Sequence, residues 1–183
     1  MRHGPFPALE IDPYVDLSGK SRTVGSRRAD RLDGLPAHAH PGGCLEARDG
    51  YHAALAEAGL PTFDDLVVWT SFTREGGRAG AARLLAATPP PEAVVCANDL
   101  IAIGALDIAR EHALAAPQDM AITGYDDIEA ASLVSPALTT VLNPAREIGR
   151  TAAQLLLDRL ASAADTYARE VVLSHRLVIR EST

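Results

Sequence analysis

One repeated pattern constrains this chain more than any other: a short apolar run, a polar rim, then a segment of helical length. "LVVW" (66–69), "AVVCA" (93–97) and "MAITG" (120–124) are brief and rich in β-branched residues, and read as buried strands. Segments 75–87 and 99–113 separate them, and the second sets Ile101, Ala105, Ile108 and His112 along one helical face. Pro89, Pro90 and Pro91 break the chain before the second strand. Upstream, "EARDGYHAALAEA" (46–58) puts Tyr51, Leu55 and Ala58 on one face, and Gly59 closes it. Downstream come a short helical turn near 127–133, an extended piece at 138–142, an amphipathic helix over 144–160 and a last strand over 171–179. Strands that alternate with helices form βαβ units around a parallel sheet, so the expected class is α/β.

The first 43 residues break the pattern. "FPALEID" suits a short strand, but "LSGKSRTVGSRRADRLDGLPAHAHPGG" keeps neither a period of 2 nor one of 3.6 and ends in turn formers, so it reads as irregular. His38 and His40 read as solvated loop histidines, because no Cys/His cluster accompanies them.

Charge and composition exclude several classes. Residues 1–43 carry six Lys/Arg and five Asp/Glu; the other 140 carry eleven and nineteen, which gives the net −7. A duplex-binding surface needs clustered positive charge to displace counterions, and the pattern here is acidic. No apolar run approaches the roughly 18 residues of a membrane span. The N-terminus shows neither an apolar signal core nor a small-residue cleavage site, and Cys44 and Cys96 are too few for a disulfide framework, so a reduced cytoplasmic setting is expected. No Gly-x-Ser-x-Gly, Cys–His or metal-ligand spacing appears, and Gly76-Gly77-Arg78-Ala79-Gly80 matches no phosphate-loop template. Neither an enzyme nor a cofactor is expected.

Open α/β sheets bind ligands beyond the carboxyl ends of their strands. Three ends are suited to that here: the loop with Phe72, the pair Asn98–Asp99, and Tyr125-Asp126-Asp127. An aromatic face, an amide and a carboxylate suit a polyhydroxylated or purine-like ligand. Each has a plainer reading. Phe72 can be packing, either Asn98 or Asp99 can simply cap the following helix, and Asp127 reads as the turn or cap residue of its pair. Trp69, inside a strand, reads as core.

These residues also carry a resemblance. "RDGYHAALAEAGL", "AVVCANDLIAIGAL", "PQDMAITGYDDIEAASLVSPALTTV", "IGRTAAQLLLDRL" and "HRLVIREST" resemble, in this order over 44–183, the sensor core of the LacI/GalR family of bacterial transcription regulators. The resemblance implies a periplasmic-binding-protein-like fold whose first lobe is incomplete here. Residues 1–43 would be a remnant of that lobe, 44–143 the ligand-binding second lobe, and 144–183 the hinge-crossing helix and terminal strand. It implies a sugar- or nucleobase-class effector held by Arg48, Phe72, Asn98 and Asp126, although Arg48 also suits an ion pair on its own helix. It implies a homodimer formed through helix 99–113 and residues near Ser132 and Leu133. Operator DNA would be reached only through a helix-turn-helix, and nothing in this chain resembles one. The family's usual glycine after helix 99–113 is replaced by Ala113. Two rival expectations are an exported sugar-binding protein and a non-functional remnant of a truncated regulator gene.

Overall fold

Helix α3 (Asp99–Glu111) organises the molecule because its sequence, DLIAIGALDIARE, is apolar nearly all the way round. Ala102, Ile103, Gly104, Ala105, Leu106, Ile108 and Ala109 are all buried. The structure is a computed structural model that describes residues 41–63, 66–161 and 169–183, and all of these belong to one compact unit, Leu35–Thr183. The expectations for residues 1–40, including His38 and His40, lie outside the described residues.

α1 (Pro41–Glu57) begins earlier than its periodicity suggested. Proline fits the first helical position, where its missing N–H removes nothing. The helix ends as expected: Gly59 takes φ +68, and Leu60 N–H reaches back to Leu55 O at 2.8 Å. α2 (Arg74–Leu85) is capped by Thr73, whose hydroxyl accepts from Gly76 N–H at 3.0 Å. The glycine-rich stretch has a packing role. A Cβ on Gly77 would collide with the backbone of Ile101, and one on Gly104 with that of Arg74, so α2 and α3 meet backbone to backbone. Outside this seam, Asp107 takes Arg74 Nε at 2.6 Å and Nη2 at 2.9 Å, while Arg78 bonds Glu111 at 2.8 Å.

β1 (Ala93–Val95) pairs in parallel with β2 (Ala121–Thr123), Val94 opposite Ile122. β3 (Thr140–Leu142) continues beside the β2 line through parallel bridges Thr123–Thr139 and Asp126–Leu142, then pairs antiparallel with β4 (Arg176–Val178). The described strands thus form two two-stranded ladders, parallel β1–β2 and antiparallel β3–β4, linked by these isolated bridges. The core is small-residue and aliphatic, with Met120, Ile122 and Leu138 fully buried against α3.

Three expectations need correction. Residues 66–69 form no strand, since no neighbour pairs with them among the described residues, and Trp69 is 42% exposed rather than core. The last strand shrinks to Arg176–Val178, because β3 offers only three residues before Pro144 ends it. α4 (Glu129–Leu133) starts later than 127, because the two residues before Ile128 have non-helical, positive φ. α5 (Ala145–Ala161) runs close to its expected length, and none of its residues is buried. Among the described residues, no helix is long and apolar enough to cross a membrane.

Candidate functional site

The carboxyl ends of β1 and β2 are tied together. Cys96 N–H donates to Thr123 O at 2.9 Å, and Asp99 N–H to Tyr125 O at 2.8 Å. This brings Asn98 and the Asp126 loop to one rim. Asn98 is the cap of α3, its Oδ1 accepting from Ile101 N–H at 2.9 Å. Its amide Nδ2 makes no hydrogen bond among the described residues. The cap reading and the ligand reading are thus compatible, because each uses a different end of one amide.

Asp126 is half-buried at φ +114, a conformation that an L-residue rarely adopts, and Asp127 follows at φ +54. Such strain costs about 1–3 kcal/mol per residue and persists only where neighbours over-determine it. They do. Asp126 N–H donates to Val141 O at 3.0 Å, and Asn143 Nδ2 donates to Asp126 Oδ1 at 3.0 Å. Asp127 Oδ1 accepts from Arg180 Nη2 at 2.6 Å, and Ile128 N–H donates to Asp99 Oδ2 at 2.9 Å. Asp126 keeps its second oxygen without a protein donor among the described residues. That oxygen can accept a hydrogen bond from a hydroxyl or an N–H.

Asp127 is therefore not a cap: α4 is preceded by Ile128, with no side-chain cap bond. It is a turn residue whose carboxylate makes a distant ion pair. Asp99, adjacent to the cap, is fully buried, and its Oδ1 takes the Thr140 hydroxyl at 2.5 Å. Burial first, and the nearby charges of Asp126 and Asp127 after it, push the Asp99 carboxyl up, against the pull of its Thr140 and Ile128 bonds. A Cβ on Gly124 would strike Asp99 Oδ1, so glycine is required for that contact. Cys96, buried nearby, has its thiol pushed up to about 12 by burial and then by Asp99, which makes it an inert core residue.

Phe72 lies two residues before α2 on a partly exposed loop. Arg74, the first residue of α2, lies against Gly104 and bonds Asp107 in the middle of α3, and no bond joins Phe72 to Asn98 or Asp126. Arg48 is different. Its guanidinium pairs with Asp49 at 2.8 Å on its own helix, and no bond joins it to Phe72, Asn98 or Asp126. The residues that sequence reasoning missed are Asn143, Thr140 and Arg180. Their partners are 17 to 53 residues away, so no local signal marks them. Among the described residues no cluster of His, Cys, Asp and Glu could hold a metal ion.

This fold, with a ligand-type rim at the strand ends, is that of the periplasmic binding protein-like domain family, whose pattern matches residues 37–183. The chain belongs to that family, and its relatives there are LacI-type regulators. It is 41% identical over 133 residues to the ribose operon repressor of Haemophilus influenzae, which covers 73% of this chain and 40% of the relative. It is 31% identical over 196 residues to the transcriptional repressor PurR of Vibrio atlanticus, covering all of this chain and 58% of that protein. Among solved structures it resembles the complex of the transcriptional regulator CelR with cellobiose, at TM-score 0.72 and 36% identity, over 76% of this chain and 42% of that one. It also resembles the Escherichia coli repressor AscG, at TM-score 0.68 and 29% identity, over 76% of this chain and 50% of that one. The chain thus spans 40–58% of the length of these two sequence relatives.

Proposed function

We propose that this chain is the small-molecule-sensing core of a LacI/GalR-type transcription regulator and that its effector is sugar- or nucleoside-like. Asp126 accepts ligand hydroxyls, the Asn98 amide donates, Phe72 covers an apolar ligand face, and Arg48 donates from α1. In the proposed division, residues 44–143 form the ligand-binding second lobe and 144–183 the hinge-crossing helix and terminal strand, with 1–43 an irregular or degenerate remnant of the first lobe. The reading includes no catalysis and a cytoplasmic setting. It includes a homodimer through the outer face of α3 and the region of Ser132 and Leu133, where Leu100 and Leu133 are exposed. Operator DNA would be reached through a helix-turn-helix, not through the acidic surface of this core.

The observation that carries this reading is Asp126: a strained residue, braced on several sides, with one oxygen unclaimed among the described residues. A hydrogen bond to a charged group is worth about 1.5–3 kcal/mol, so Asp126→Ala should weaken binding roughly ten- to hundredfold and leave the chain folded. Titration calorimetry with D-ribose, cellobiose and adenosine tests this on the wild type, Asp126→Ala and Asp127→Ala. An affinity loss in Asp127→Ala equal to that in Asp126→Ala would overturn the assignment, because Asp127 should act more on stability. A wild type that binds none of the three classes would overturn the effector class.

A further inference from the structure

We propose that Arg180 is a positioning residue for the ligand carboxylate, and that residues 180–183 form a buckle that sets where Asp126 stands. The proposal rests on the ligand role given above to Asp126.

Arg180 joins three places with one side chain and one amide. Its Nη2 donates to Asp127 Oδ1 at 2.6 Å, its Nη1 to Leu138 O at 2.8 Å, and its backbone N–H to Thr139 Oγ1 at 2.8 Å. Both partners of the ion pair are mostly buried, with side chains 20% and 15% exposed, so solvent screens the pair little. Ser182, fully buried, extends the tie. Its hydroxyl donates to Ile122 O at 2.6 Å and accepts from Thr139 N–H at 2.9 Å, while its carbonyl takes Ile122 N–H at 2.9 Å. Glu181 closes the last gap, its carboxylate accepting from Ala137 N–H at 3.0 Å.

These bonds hold both ends of one short span. β2 delivers the chain into the loop and is held at Ile122; the loop is held again at Asp127; and Asp126 lies between the two anchors. An L-residue at φ +114 relaxes towards negative φ once its neighbours let go, and that rotation turns the carboxylate away from its present line. On the β3 side the loop is held by Asp126 N–H to Val141 O, by Asn143 Nδ2 on Asp126 Oδ1 and by a long bond of 3.4 Å from Asp127 N–H to Thr140 Oγ1, none of which reaches the Asp127 carboxylate. Arg180 supplies that hold, so the C-terminal residues complete the bracing that aims a side chain 54 positions earlier in the sequence.

The test is amide hydrogen exchange without ligand on the wild type, Arg180→Met and Arg180→Lys. Arg180→Met should speed exchange at Asp126 and Ile128 by at least about tenfold more than at Ala102 and Leu106 in α3, and Arg180→Lys should recover part of the difference. Equal acceleration everywhere would show a merely structural ion pair and overturn the proposal, as would an unchanged loop. If Arg180→Met does not fold, Asp127→Asn replaces it, since asparagine keeps the size and tolerates positive φ. With D-ribose or cellobiose as probe, Arg180→Met should weaken binding about two- to tenfold, less than Asp126→Ala does. A loosened loop with unchanged affinity would also overturn the positioning role. If the wild type binds neither sugar, the affinity arm is read with adenosine, and the exchange ratio decides the buckle independently.

Discussion

Asp99→Ala tests the idea that a buried carboxylate, not the neighbouring asparagine, holds the Asp126 loop to the core. Asp99 accepts from the Thr140 hydroxyl at 2.5 Å and from Ile128 N–H at 2.9 Å, and both Asp99 and Thr140 are fully buried. Removing the carboxylate leaves two donors without their acceptor, each at about 1–3 kcal/mol. Losing the unfavourable burial of the carboxylate itself offsets part of this, so the net loss should be about 2–4 kcal/mol. That is a large share of a domain's roughly 5–15 kcal/mol. The loss should depend on pH with a definite sign. The native Asp99 pKa lies above its unfolded value of about 3.9, so the folded protein keeps a proton that the unfolded chain has released. The stability contributed is complete below about pH 3.9 and falls as pH rises through the raised native value. Asp99→Ala should therefore be most damaging in acid and less so at neutral pH. Urea unfolding followed by circular dichroism over this range measures both effects. Asp99→Asn, which keeps an acceptor for Thr140, should lose about half as much. A loss under about 0.5 kcal/mol at every pH, or one that grows with pH, would refute the reasoning.

Three further outcomes are expected. Gly77→Ala drives a methyl into the Ile101 backbone and should lower stability by about 1–3 kcal/mol in the same urea assay, whereas Gly149→Ala, inside α5 where a Cβ meets nothing, should raise it by about 0.5–1 kcal/mol. Asp107 has its carboxyl held below the usual range, first by its Arg74 hydrogen bond and further by the charges of Arg74, Arg78 and Arg110. Its contribution should be present above about pH 3.9 and lost as pH falls through the lower native value, so Asp107→Asn should flatten that acid limb of the urea midpoint, the opposite of Asp99. α5 presents Ile148, Leu156, Leu157 and Leu160 to solvent, and four such side chains left wet forgo about 1.5–3 kcal/mol each. Sedimentation velocity should show self-association that Leu156→Lys with Leu160→Lys reduces, and a monomer that binds no hydrophobic dye would contradict it.

The positions of α2, α3 and α5 were legible in the sequence because helices are built from local spacing and local caps. Asn98 and Gly59 announce helix ends within a few residues of where they act. Even the awkward Ala113, a non-glycine where glycine suits, appears as φ +57 after α3. The place of Asp126 at the carboxyl end of β2 was legible for a similar reason: it follows directly on a short apolar run closed by Gly124.

What a strand does depends on its neighbours, and there the sequence stopped short. "LVVW" has strand composition, yet nothing pairs with it among the described residues, and Trp69 faces solvent. Which of Asn98 and Asp99 would cap and which would be buried was open, since adjacent polar residues satisfy the same local rule. Tertiary structure settled it by placing Thr140 and Ile128, 41 and 29 residues away, around the second carboxylate. Asp127 likewise gained its role from Arg180, 53 residues on. The chain's own periodicity determined its elements and the strand end that carries the acid. Only folding decided how that acid is braced, because each brace is a contact between segments that the sequence keeps far apart.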